Sequence, residues 1–128
     1  MKPTKEPILY EELTYKIIGC AMRVHKELGP IHKEVIYQKS LEKALLDESL
    51  KVDREVRLPV KFEELIVGTY IPDFVVEDKI LLELKALEFL PKGAEIQLSY
   101  YLKATGYKIG LIFNFGSRSL QVKRRIYG

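Results

Sequence analysis

Residues suited to burial recur at three- and four-residue steps near the start of the chain: Leu13, Ile17, Ile18, Ala21, Val24, His25 and Leu28. That spacing predicts an amphipathic helix from Tyr10, and Gly29-Pro30 closes it with a common stop signal. A second helix is predicted over residues 33–49, with Val35, Ile36, Leu41, Ala44, Leu45 and Leu46 forming much of its apolar stripe. Beyond Val52 the period changes. Val56, Leu58, Val60 and Phe62 alternate with Arg57, Pro59 and Lys61, which predicts a half-buried strand. Pro59 has no amide proton to give to a ladder, so an edge position is expected.

Residues 65–76 read as a second strand containing Gly68 and Pro72, Glu77-Asp78-Lys79 as a turn, and residues 80–87 as a third strand. Pro91-Lys92-Gly93 leads into a helix over 94–105, closed by Gly106. Residues 108–115 read as a buried strand and 120–127 as a last, edge strand. The order is ααβββαββ. Three meandering strands, a helix and a further strand imply an α/β fold, a mixed sheet flanked by helices.

Composition narrows the class. The chain has 128 residues, 47% hydrophobic and 30% charged, as expected for one soluble globular domain over 1–128, with an extended leader at 1–9 marked by Pro3 and Pro7. A single cysteine, Cys20, excludes an internal disulfide framework. The apolar runs fall far short of the roughly 20 residues a membrane helix needs, and the first residues lack an apolar signal core. No membrane association and a cytoplasmic location are therefore expected. The net charge of +3 is unevenly placed, because residues 96–128 hold six basic residues and no acidic one. Such a region suits a phosphate-facing surface or a solvated basic edge.

The most informative local feature is the turn. With Asp78 at its centre, Asp73 pairs with Glu83, their Cβ atoms about 5 Å apart on one face. Lys85, two residues beyond Glu83, shares that face. Like charges opposed in apolar surroundings repel and are disfavoured. Lys85 offsets one charge, and a hard divalent cation, Mg²⁺ or Mn²⁺, would offset the rest. On spacing alone, a Glu83–Lys85 surface pair beside an unrelated aspartate is an equally good reading, and a one-residue slip would part the two acids.

At these positions the sequence resembles a known family. Pro72-Asp73, nine residues, then Glu83-Leu84-Lys85 resembles the PD-(D/E)XK motif of the restriction-endonuclease-like nucleases. Glu34, on a helix ahead of the first strand, matches the extra acidic residue often found in that superfamily. Gln97 and Tyr101 resemble the Gln-x-x-x-Tyr motif of its RecB-type branch. Leu28-Gly29-Pro30 with Glu34-Val35-Ile36-Tyr37, and the later Gln97–Leu102 and Leu111–Gly116 stretches, are similar to the small GxxExxY proteins, over nearly the whole chain. One position departs from that pattern, with Ile31 where the family's first motif glycine would fall.

The resemblance implies a restriction-endonuclease-like core and a metal-dependent nuclease acting on nucleic acid, DNA ahead of RNA. It implies that Asp73, Glu83 and the Leu84 carbonyl hold Mg²⁺ or Mn²⁺. Glu34 would join through water or a second metal. Lys85 would orient or deprotonate the attacking water, and Gln97 and Tyr101 would position a phosphate or the Lys85 side chain. So small a chain has little material for a specificity domain, so a homodimer or a larger protein partner is expected to help it grip a duplex. The competing readings are a nucleic-acid-binding or scaffold protein without turnover and a pure protein-interaction module.

Other residues invite chemistry less strongly. His25 and His32 lack companions at metal-ligand spacing. Cys20 reads as a buried structural thiol. Of Tyr100 and Tyr101, one is expected in the core and the other free to stack on a base. Lys123-Arg124-Arg125 is either a solvated edge or a phosphate contact, and Asn114 either points into a cleft or satisfies a strand end.

Overall fold

A computed structural model describes residues 10–128; the leader expected at 1–9 lies outside the described residues. Helix α1 (Glu11–Leu28) buries Thr14, Ile17, Cys20, Ala21 and Val24, one face at the expected spacing. Gly29 ends it at φ 72°, ψ −175°, its amide donating to the His25 carbonyl at 2.8 Å. That conformation is essentially restricted to glycine. The helix stop therefore needs Gly29, and Ile31 needs no special backbone: it is exposed and is not among the residues of positive φ.

Helix α2 (Glu34–Asp47) buries Tyr37, Leu41, Ala44 and Leu45. Val35, Ile36 and Leu46, expected in its stripe, are exposed instead. Tyr37 fixes the face. Its ring stacks on Phe115 at 4.7 Å, its hydroxyl donates to the Gly29 carbonyl, and it accepts from the His32 amide at 3.2 Å. Tyr37 thus ties the α1–α2 loop to the core and sets where Glu34, at the start of α2, emerges.

The strand region is more divided than the alternation suggests. β1 (Val52–Arg54), β2 (Leu58–Phe62), β3 (Leu65–Tyr70), β4 (Phe74–Val76) and β5 (Ile80–Lys85) precede α3 (Gly93–Thr105), β6 (Ile109–Asn114) and β7 (Gln121–Ile126). The α/β class and the mixed sheet hold. The single strand expected over 65–76 is two, broken at Ile71-Pro72-Asp73, where Pro72 has no amide to continue a ladder. β1 was not anticipated; three residues are too few to show alternation.

The main sheet runs β1-β4-β5-β6-β7, with β5 and β6 parallel and the other pairs antiparallel. Helix α3 makes the crossover that a parallel pair requires. β2 and β3 form a separate hairpin with a bulge at Val60/Lys61. Alternation divides the core in two. Ile80, Leu82 and Leu84 of β5 pack with residues of α1 and α2, whereas Leu81 packs with Leu98 and Leu102 of α3 and with Leu58 and Tyr70 of the hairpin. Glu83 and Lys85 share the parity of Leu81 and so lie on the α3 face. Both β6 and the end strand β7 are as expected, the first buried throughout and the second half-exposed.

Candidate active site

The site forms where β4 and β5 diverge beyond their turn. Glu77 and Asp78 both have positive φ, 54° and 57°, and Lys79 donates to the Val76 carbonyl at 3.0 Å, the φ signature of a tight hairpin turn. The ladder pairs Val76 with Ile80, Val75 with Leu81 and Phe74 with Leu82. One step further in that register, Asp73 falls opposite Glu83. Asp73 is past the last ladder pair, and its side chain takes over the role of backbone: Oδ2 accepts from the Leu84 amide at 2.7 Å. The other oxygen, Oδ1, accepts from Gln38 Nε2 at 3.3 Å, and the same amide group donates to Glu34 Oε2 at 3.0 Å. Gln38 therefore links α2 to the end of β4.

Glu83 receives a hydrogen bond from the Tyr70 hydroxyl on Oε2. Burial pushes its carboxyl up to about 7; the Tyr70 bond and the charge of Lys85 oppose that rise, while the charge of Asp73 adds to it. Burial and the Asp73 charge also raise Glu34, against the pull of Lys85. Tyr70 is driven upward by burial and by Glu83, so its phenol remains a donor. Lys85 and Glu83 border a slot of about 10 Å³ together with Ala94, Gln97, Leu98, Tyr101 and Ile112, room for one water-sized group.

Glu83, Lys85, Gln97 and Tyr101 thus share one slot at the end of the sheet, with Asp73 opposite Glu83 in the strand register. Glu34 reaches them through Gln38. Among the described residues no three His, Cys, Asp or Glu side chains lie close enough to hold an ion jointly, so the acidic core here is the Asp73–Glu83 pair. Two participants escaped the sequence reading. Gln38 stands four residues after Glu34, a spacing that puts both on one helix face and could have exposed it. Tyr70 had no such signal, because the break at Pro72 interrupts the alternation that would relate it to Asp73.

Several residues prove structural. His25 Nε2 lies 2.9 Å from the Ser117 carbonyl. The Cys20 thiol, raised by burial, sits 3.6 Å from the Ala44 carbonyl. Asn114 is buried at a strand end; it exchanges bonds with the Leu87 amide and carbonyl, both at 2.9 Å, and donates to Gln121 at 2.7 Å. This clasp fixes the chain leaving Lys85. A Cβ at Gly116 would come within 2.4 Å of the Leu87 nitrogen, so the clasp admits only glycine there. Tyr101 is half-buried and Tyr100 exposed. Lys123 and Arg125 both approach Glu95, at 3.8 and 3.4 Å, which offsets part of the basic edge. Arg124 pairs in register with Leu111 and so belongs to the opposite face.

A mixed sheet with helices on both faces, carrying an aspartate just ahead of one strand and a Glu-x-Lys segment on the antiparallel strand beside it, has the architecture of restriction-endonuclease-like nucleases. The chain belongs to the PD-(D/E)XK nuclease superfamily, whose family model matches residues 11–126. Its members are nucleases that generally use divalent metal ions. No curated protein and no solved structure matches the chain. Among the described residues no helix is long and apolar enough to cross a membrane.

Proposed function

We propose that this protein is a metal-dependent nuclease that hydrolyses phosphodiester bonds in nucleic acid, DNA in preference to RNA. The supporting observation is the opposition of Asp73 and Glu83 across the β4–β5 register, with Glu83 held near 7 by burial and by its neighbour. Two carboxyl groups so placed repel one another, and a hard dication is the natural counter-charge between them. The donor set fits Mg²⁺ or Mn²⁺: Asp73, Glu83 and the Leu84 carbonyl, with Glu34 contributing through water or at a second ion. When bound, such an ion neutralises phosphate charge and acidifies water.

The remaining steps belong to the chain. Lys85 orients the attacking water, takes part in removing its proton and stabilises charge developing on the phosphate. Gln97 and Tyr101, one turn apart on α3, position the phosphate or the Lys85 amine at the mouth of the slot. Gln38 holds Asp73 and Glu34 in mutual register. The Gly29, Glu34 and Tyr37 arrangement supports membership of the GxxExxY group, with the helix stop at Gly29 serving where that pattern has a glycine at 31. A cytoplasmic location, and a homodimer or larger partner to grip a duplex, complete the proposal.

The test is cleavage of single- and double-stranded DNA and RNA by the full chain in Mg²⁺ or Mn²⁺. Metal-dependent cleavage that EDTA abolishes is expected. Salt-sensitive binding with no cleavage of any substrate would instead favour a nucleic-acid-binding scaffold on a nuclease fold.

A further inference from the structure

We infer that Tyr70 is a positioning residue that connects helix α3 to the metal-binding carboxylate of Glu83; the inference rests on the metal-site reading above. Tyr70 is only 6% exposed. It ends β3, three residues before Asp73, so one short link between β3 and β4 delivers both a carboxylate and the donor that restrains its neighbour. Its hydroxyl donates to Glu83 Oε2. Its ring lies on the Tyr101 ring, with centroids 3.8 Å apart and planes within 9°. Tyr101 in turn lines the slot beside Gln97, Glu83 and Lys85.

The two ends of Tyr70 do different work. The stacked ring fixes where the hydroxyl stands, and the hydroxyl fixes one oxygen of Glu83. A carboxylate restrained at one oxygen offers the other in a set direction, which favours ligation over a freely rotating group. The chain Tyr101–Tyr70–Glu83 also explains why a helix residue matters to a strand carboxylate. Tyr101 acts on the slot directly and on Glu83 through the stack.

Tyr70→Phe keeps the ring and its stack while deleting the hydroxyl. Mn²⁺ binding to the full chain, followed by titration calorimetry, is expected to weaken about 10-fold, the usual scale for loss of a partner behind a ligand. The Mg²⁺ concentration for half-maximal cleavage rises by a similar factor, while the rate at saturating Mg²⁺ stays within about threefold of the parent. Unchanged Mn²⁺ affinity in Tyr70→Phe, with the parent binding normally, overturns the role of Tyr70 and leaves the metal site standing. A parent chain that binds no Mn²⁺ overturns both. A loss of about 10 °C or more in Tm assigns the hydroxyl to folding and likewise overturns the inference.

Discussion

Lys85→Ala is expected to fold, to bind Mn²⁺ and to cleave about 10³-fold more slowly than the parent, the scale for removing a group that both moves a proton and stabilises developing charge. Lys85 is half-buried at the end of β5, in the slot with Glu83 and Gln97. It is the cation that opposes the upward shift of both Glu34 and Glu83. Its loss removes the cation lining the slot and leaves the carboxylates in place. Lys85→Met, which keeps the apolar stem, should fail to cleave in the same way and separates the amine from its packing. Single-turnover cleavage beside Mn²⁺ titration makes the measurement, and equal cleavage by the parent and both variants excludes catalysis at this amine.

Glu83→Gln is expected to lose cleavage while becoming more stable than the parent at pH 8 in EDTA. The folded chain keeps a proton on Glu83 up to about pH 7, whereas the unfolded chain releases it near the ordinary value of 4.5. The folded state therefore binds more protons between those values. The stability this group contributes is fully present below the unfolded value and declines as pH rises through the folded one. Glu34, raised by burial and by Asp73, adds a decline of the same sign. The glutamine amide carries no charge and still offers an oxygen to Tyr70, so Glu83→Gln should flatten this part of the profile. Added Mg²⁺ should restore the parent at pH 8 by preferential binding to the folded state and leave the variant unmoved. Urea unfolding at pH 5, 6.5 and 8, with and without Mg²⁺, decides it. Parallel profiles for parent and variant would show that Glu83 does not hold its proton in the folded chain.

The turn at Asp78 was legible because a three-residue loop between two apolar runs fixes a register, and the ladder obeys that register from Val76 back to Phe74. The same regularity hid what happens next. Pro72 ends the pairing, so the strand expected over 65–76 becomes β3 and β4 in different sheets. That break frees Asp73 to cap the Leu84 amide and brings in Tyr70 from the neighbouring hairpin. On α2, apolar content pointed to Val35, Ile36 and Leu46, but the buried face is chosen by a tertiary contact, the stack of Tyr37 on Phe115. Residues 115 and 37 are far apart in sequence, and no local period relates them. Gln38 stood one turn from Glu34 and was readable. Tyr70 required knowing which sheet edge its strand joins.

The charge of the last third was legible in amount, but its division between the two faces of the sheet was not. Glu95, the last acidic residue of the chain, starts the helix that lies across β6 and β7, and it meets both Lys123 and Arg125. Alternation then sends Arg124 to the other face. Three consecutive cations in sequence therefore do not make one continuous phosphate-binding surface.

The most direct measurement is anomalous diffraction from crystals soaked in Mn²⁺ at pH 7.5. A peak about 2.0–2.6 Å from carboxylate oxygens of both Asp73 and Glu83 is predicted, with no comparable peak in Asp73→Asn crystals. Manganese bound elsewhere, or density between these carboxylates that persists in Asp73→Asn, would contradict a shared dication site there.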